Sequence, residues 1–130
     1  MKKVVLWLLV LSALLSFVSC GAKTIEEAYA NAKHKVETLN AVDWEVESGE
    51  FQRKASVSGE WKYVYEINFY AKIDYSSKYE KSQAASTAAA CYRIILKEFG
   101  NFDVDLNLVF YAKSGSYIRT VKIIDGEMQL

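Results

Sequence analysis

Between Trp61 and Ile73 the chain alternates with a strict period of two. Trp61, Tyr63, Tyr65, Ile67, Phe69, Ala71 and Ile73 fall on one side, and Lys62, Val64, Glu66, Asn68, Tyr70 and Lys72 on the other. Successive side chains of a strand point to opposite faces, so this stretch predicts a strand with one buried and one largely solvated face. That two-sidedness belongs to an antiparallel sheet covered on one side only. The rest of the fold must supply that cover.

Two helical patterns can do so. Thr24-Ile25-Glu26-Glu27 has the spacing of a capping box, in which the hydroxyl accepts from the third amide and the carboxylate reaches back. Apolar residues then recur at Ile25, Ala28, Tyr29, Ala32, Val36 and Leu39, one helical stripe ending near Asn40. Ser77-Lys78-Tyr79-Glu80 has the same capping spacing and opens a second helix that runs to Phe99, with Gly100 or Asn101 as its stop. Its Ala84, Ala85, Ala88, Ala89 and Ala90 predict a close approach to a neighbour. Cys91, Tyr92, Ile95, Leu96 and Phe99 form a bulkier end.

The remaining segments read as strands. Trp44 and Val46 alternate with Glu45 and Glu47. The phase shifts after Ser48-Gly49-Glu50, because Phe51, Ala55 and Val57 are apolar at odd positions, so a bulge or tight turn is expected at Gly49. Ser58-Gly59-Glu60 reads as a hairpin turn. Val104, Leu106, Leu108, Phe110 and Ala112 face one way and Asp103, Asp105, Asn107, Val109 and Tyr111 the other. Lys113-Ser114-Gly115-Ser116 turns the chain, and Tyr117 to Ile124 returns. The expectation is an α+β fold: a two-layer antiparallel sheet of four to five strands with two helices on one face, in the order α-β-β-α-β-β.

The N-terminus carries an address. Lys2 and Lys3 precede an apolar run from Val4 to Val18, broken by Ser12 and Ser16, and small residues follow at Ser19, Cys20, Gly21 and Ala22. A positive region, an apolar region and a small-residue cleavage site make a secretory signal peptide. As a helix the run would be about 22 Å long, short of the roughly 30 Å hydrocarbon core. Phe17-Val18-Ser19-Cys20 resembles the lipobox of bacterial lipoproteins, with an apolar residue at −3, Val at −2 and a small residue at −1. The resemblance covers about the first 22 residues and departs from the pattern in having Phe17 where Leu is usual. It implies that the Cys20 thiol is diacylated, that the chain is cut before it, and that the new N-terminus gains a further acyl chain, palmitate being a usual one. The thiolate is the nucleophile that makes the thioether.

On that reading residues 1–19 are a signal peptide, 20–23 a lipidated N-terminus and short tether, and 24–130 a single α+β domain. With Gly21 and not Asp at +2, the lipoprotein resemblance implies, as in enteric bacteria, sorting to the outer membrane, facing the periplasm. Cleavage by an ordinary signal peptidase after Ala22 is the alternative, and would give a secreted or periplasmic protein.

Composition narrows the function. The precursor has 16 basic and 16 acidic residues; Lys2 and Lys3 leave with the signal, so 14 face 16, a net charge of −2. A nucleic-acid binder would need a basic stripe, and none is present. Cys91 has no partner once Cys20 is acylated or removed, and reads as a buried small hydrophobe. His34, the only histidine, lies opposite Ile25 on the first helix and reads as solvated; no set of three or four zinc ligands exists. Asp103-Val104-Asp105-Leu106-Asn107 begins like a calcium loop, but Leu108 and Ser114 occupy its glycine and glutamate positions, so it reads as a strand. No nucleophile elbow, phosphate loop or dinucleotide fingerprint occurs, and no cofactor or metal is expected.

The solvated sheet face is the candidate binding surface: Lys62, Val64, Glu66, Tyr70, Val109 and Tyr111 combine aromatic, aliphatic and charged groups there. The plain alternative is that Tyr and Val are good strand residues forming cross-strand pairs. The sequence therefore predicts a small envelope lipoprotein, non-enzymatic, that binds an envelope protein, peptide or glycan. A second reading is an inhibitor or protective protein against a periplasmic enzyme or toxin. A third, a hydrolase, would need Glu45, Glu47, Asp103 and Asp105 to share a pocket.

Overall fold

The computed structural model describes residues 24–55 and 59–130. The expected signal peptide, Cys20 and the expected tether to residue 23 lie outside the described residues, as do Val57 and Ser58.

Helix α1 (Ile25–Glu37) starts as its sequence dictates. Thr24 Oγ1 accepts from the Glu27 amide at 3.1 Å, and the Glu27 carboxylate accepts from the Thr24 amide at 3.1 Å. This reciprocal pair satisfies two of the four amides that a helix start leaves unbonded. Ala28, Ala32 and Val36 are buried, while Ile25, Tyr29 and Leu39 pack at the margin of the same core. His34 is exposed.

Strand β1 (Trp44–Ala55) pairs antiparallel with β2 (Trp61–Ala71), and the register slips between Ser48 and Phe51. Ser48 faces Ile67 and Phe51 faces Tyr65, so Gly49 and Glu50 together oppose Glu66. The phase shift in the sequence is thus a bulge inside one continuous strand. Its effect is to keep Phe51 inward, where it stacks on Tyr29 at 4.5 Å, Tyr63 at 5.4 Å and Phe99 at 5.8 Å.

Helix α2 (Glu80–Lys97) follows β2. The expected capping box at Ser77 does not form. The Ser76 carbonyl takes the amides of Tyr79 and Glu80, and Tyr79 becomes the N-cap without a side-chain bond. Ala84 and Ala88 are buried as expected, but Ala89 and Ala90 are exposed, so the close approach is one narrow stripe. The helix ends at Lys97, with the Phe99 and Gly100 amides bonded to Leu96 and Lys97 carbonyls.

After α2 the sheet departs from expectation. β3 (Val104–Tyr111) runs parallel to β2, not antiparallel, with Tyr63 facing Val104 through Tyr70 facing Tyr111. The physical reason is α2 itself. About 27 Å of helix carries the chain back along the sheet, so the next strand starts at the end where β2 started. β4 (Tyr117–Ile124) then pairs antiparallel with β3. A strand absent from the sequence reading follows: β5 (Glu127–Gln129) pairs antiparallel with β4 through the Asp125-Gly126 turn. Both turn residues have positive φ, 53° and 81°, as a tight two-residue hairpin requires. The product is an α+β fold with a five-stranded mixed sheet in the order β1-β2-β3-β4-β5.

One face of this sheet and both helices share a core of Tyr65, Ile67, Phe69, Leu106, Leu108, Phe110, Val121 and Ile123 with Ala28, Ala32, Val36, Ala84, Ala88 and Ile95. Two members of the inward pattern escape it: Trp61 is 61% and Ile73 44% exposed, because both lie at or beyond an end of the covered region. Cys91 is buried and free, and burial pushes its thiol above its ordinary pKa. Among the described residues no helix is long and apolar enough to cross a membrane.

Candidate binding face

The helices cover one face of the sheet; its other face is built from alternate residues of β1 to β4. The register sets them in cross-strand rows. Glu45, Tyr70, Tyr111 and Tyr117 form the first, and Glu47, Asn68, Val109 and Thr120 the second. The bulge, Glu66, Asn107 and Lys122 form the third, Gln52, Val64 and Asp105 the fourth, and Lys54 and Lys62 the fifth. All six residues expected on this face are on it, yet they are not equally available.

The first row is aromatic. The Tyr70 and Tyr111 rings stack with centroids 5.1 Å apart and planes within 13°, and Tyr117 meets Tyr111 edge-on at 6.2 Å. Tyr70 is 37% exposed, and its hydroxyl donates to the Glu47 carboxylate at 3.4 Å. Partial burial, then the Glu47 charge, raise the Tyr70 pKa, so the hydroxyl stays a donor. Tyr117 was missed by the sequence reading. Its strand was recognised, but the offset in register between Phe110 and Tyr111 that brings it beside Tyr111 has no local signature.

The second row is closed at its centre. Val109 is only 9% exposed, and so is Asn68, whose Oδ1 has no hydrogen-bond partner. Neither offers the surface that the alternation predicts. A buried acceptor without a donor costs about 1–3 kcal/mol.

The far end of the face is ionic. Lys62 Nζ lies 2.9 Å from Asp105 Oδ1, 2.7 Å from Asp125 Oδ1 and 3.5 Å from Asp103 Oδ1. Hydrogen bonds to Asp105 and Asp125 raise its pKa above the ordinary lysine value, so it is fully charged. The Asp125 amide also donates to Asp105 Oδ1 at 3.3 Å, which ties the β4–β5 turn to β3. Lys62 is therefore held within the fold by its three aspartates. The oxygens of Asp103, Asp105 and Asp125 come within 4.8 Å of one another, as metal ligands would, but the Lys62 ammonium sits among them where a cation would be. Asp103-Val104-Asp105 enters a strand and not a calcium loop.

The four carboxylates that a hydrolase would combine are apart. Glu45 and Glu47 face Tyr70 and Asn68, whereas Asp105 faces Val64, about 20 Å from the Tyr70 row at 3.3 Å per residue. The recess lined by Glu50, Val64, Glu66 and Asn107 has a volume of about 10 Å³, no larger than one water needs. A larger cleft of about 280 Å³ lies on the helix side, lined by Val42, Asp43, Trp44, Tyr75, Thr87 and Cys91 among others. It includes none of the four carboxylates.

Comparison of the chain with protein-family models, with curated proteins and with solved structures finds no match.

Proposed function

We propose that this chain is a small exported lipoprotein of the cell envelope, tethered through Cys20, whose uncovered sheet face binds an envelope protein, peptide or glycan. The observation that supports it is the aromatic row of Tyr70, Tyr111 and Tyr117 beside uncompensated glutamates, on the one sheet face that the helices leave open. Large amphipathic rings with a polar tip are the side chains that most often dominate the energy of a binding surface. Three residues separate Cys20 from the α1 N-cap at Thr24, so a lipid on Cys20 would hold the domain against the bilayer surface.

The Tyr70→Ala/Tyr111→Ala double variant tests the reading. Both rings stand outside the main core, so the variant folds, losing about 1 kcal/mol with the stacked pair. Capture of the envelope partner by the membrane-extracted protein falls by about 100-fold, as expected when two anchoring aromatics are truncated. Unchanged capture by a folded double variant would remove this face from the function.

A further inference from the structure

The open face carries a second property, which rests on the binding role proposed for it. Glu45 and Glu47 stand two residues apart on β1, Glu50 lies in the bulge, and Glu66 opposes that bulge on β2. Four carboxylates thus run across the first three rows as a border on the β1 side of the face. Among the described residues the ion pairs are confined to Lys62 and its three aspartates, so none of these four glutamates has a cationic partner within 4.0 Å. Their only side-chain bonds are neutral: Tyr70 donates to Glu47 and Gln52 to Glu50.

Asn68 lies within this border, opposite Glu47 and two residues from Glu66 on the same face. It is 9% exposed, and its Oδ1 lacks a donor. Asn68 Nδ2 and Glu66 Oε2 are each 3.0 Å from the point where a Cβ on Gly49 would lie, so amide and carboxylate converge over the bulge. These carboxylates have no cationic partner among the described residues, and Asn68 Oδ1 lacks a donor; a lysine or arginine side chain supplies both.

A metal ion is a poorer occupant. Among the described residues, only Asp103, Asp105 and Asp125 bring three acidic ligand atoms within 4.8 Å; the glutamates are too dispersed to converge on one ion. A neutral sugar would leave the mutual repulsion of the carboxylates untouched. An extended chain with basic residues at alternate positions repeats every 6.6–6.8 Å or so, the same repeat that separates Glu45 from Glu47. The methylene stems of its lysines would lie on Tyr70 and Tyr111, with ammonium groups near the ring faces and the carboxylates.

We propose that the Glu45–Glu47–Glu50–Glu66 border, with Asn68 and the Tyr70–Tyr111 pair, is a docking site for an extended basic segment of a protein partner.

The test is fluorescence anisotropy on the detergent-extracted mature protein, with two labelled probe peptides, one of alternating Lys and Thr and one of alternating Glu and Thr. The Lys-Thr peptide binds, and its affinity falls at least about tenfold between low and high salt, as for a contact between exposed charges. The Glu-Thr peptide does not bind. Glu47→Gln/Glu66→Gln, which is nearly isosteric, weakens the Lys-Thr peptide by about tenfold or more. Glu26→Gln/Glu37→Gln removes equal charge from the exposed surface of α1 and leaves affinity unchanged. No binding of the Lys-Thr peptide, or equal losses in the two pairs of variants, would overturn the proposal. If the peptide fails while Tyr70→Ala/Tyr111→Ala still abolishes partner capture, only the basic ligand is wrong. If both tests fail, the binding role of the face falls with it.

Discussion

Gly49→Val lowers the unfolding free energy by about 3 kcal/mol, at the upper end of what overpacking costs. A Cβ at position 49 would lie 2.8 Å from the Glu66 carbonyl oxygen, and 3.0 Å from both Asn68 Nδ2 and Glu66 Oε2. The two side chains can swing, but the carbonyl belongs to the backbone of β2, which is paired on both sides by β1 and β3, and cannot move without disturbing that pairing. The need for glycine here is one of space, since the backbone at Gly49 is not in the left-handed region. Gly126→Ala is the informative contrast. Its φ of 81° penalises any Cβ, yet nothing lies within 4 Å, so the cost is about 1–2 kcal/mol. Urea unfolding followed by circular dichroism ranks the two. A Gly49→Val protein as stable as the parent would mean that the bulge is not packed against Glu66. Because the bulge also positions Glu66 and Asn68, the same variant should weaken any ligand of the glutamate border.

Tyr65 is expected to make the fold sensitive to alkali. Its ring is fully buried, edge-on to Tyr29, Phe51 and Phe99, and its hydroxyl is 2.6 Å from Ser48 Oγ. Burial pushes its pKa up to about 12 from an ordinary 10, against a smaller opposing effect of the Ser48 hydrogen bond. The folded state therefore holds the phenolic proton more tightly than the unfolded chain does. The associated stability is complete below pH 10 and is lost as pH rises from 10 through 12, by about 3 kcal/mol in all at about 1.4 kcal/mol per unit. Tyr65→Phe should lose about 1 kcal/mol at pH 8 with the hydrogen bond, yet decline less than the parent across that window. Urea midpoints of the two proteins at pH 8 and near 11.5 decide it. Lys62, whose raised pKa also favours the folded state at lower pH, is present in both and cancels in the comparison. Parallel declines would show that the Tyr65 hydroxyl is not the group that titrates.

What could be read from the chain was what is encoded locally. The Thr24–Glu27 capping box, the α1 stripe and the alternation of β2 and β3 each span a few neighbouring residues, and each is present in the fold. The slip of phase around Gly49 called for a bulge or a tight turn, and the fold takes the bulge. Strand direction was not visible. Alternation reports which face a residue takes, and says nothing of whether a helix such as α2 lies between two paired strands. The Ser77–Glu80 spacing misled because a neighbouring carbonyl, that of Ser76, claimed the amides first. The Asp125-Gly126 turn was legible and was passed over, and with it the third partner of Lys62. That ionic cluster joins residues 43 and 63 positions apart, a juxtaposition that only the closed sheet creates. The same holds for the Asn68 carbonyl, whose burial on a nominally solvated face depends on its neighbours in three strands.

Display of the domain from a membrane is central to the proposed role, since a binding face so placed meets envelope partners and little else. A single acyl chain binds a bilayer only marginally, at about 0.8 kcal/mol per buried CH₂, whereas two or three anchor it stably. The intact mass of the mature protein extracted from membranes, measured beside a Cys20→Ser variant, addresses this most directly. The expected product is a chain that begins at Cys20 and carries diacylglycerol and a further acyl group, all of that lipid mass being lost in the variant. An unmodified chain that begins at Lys23 would contradict it.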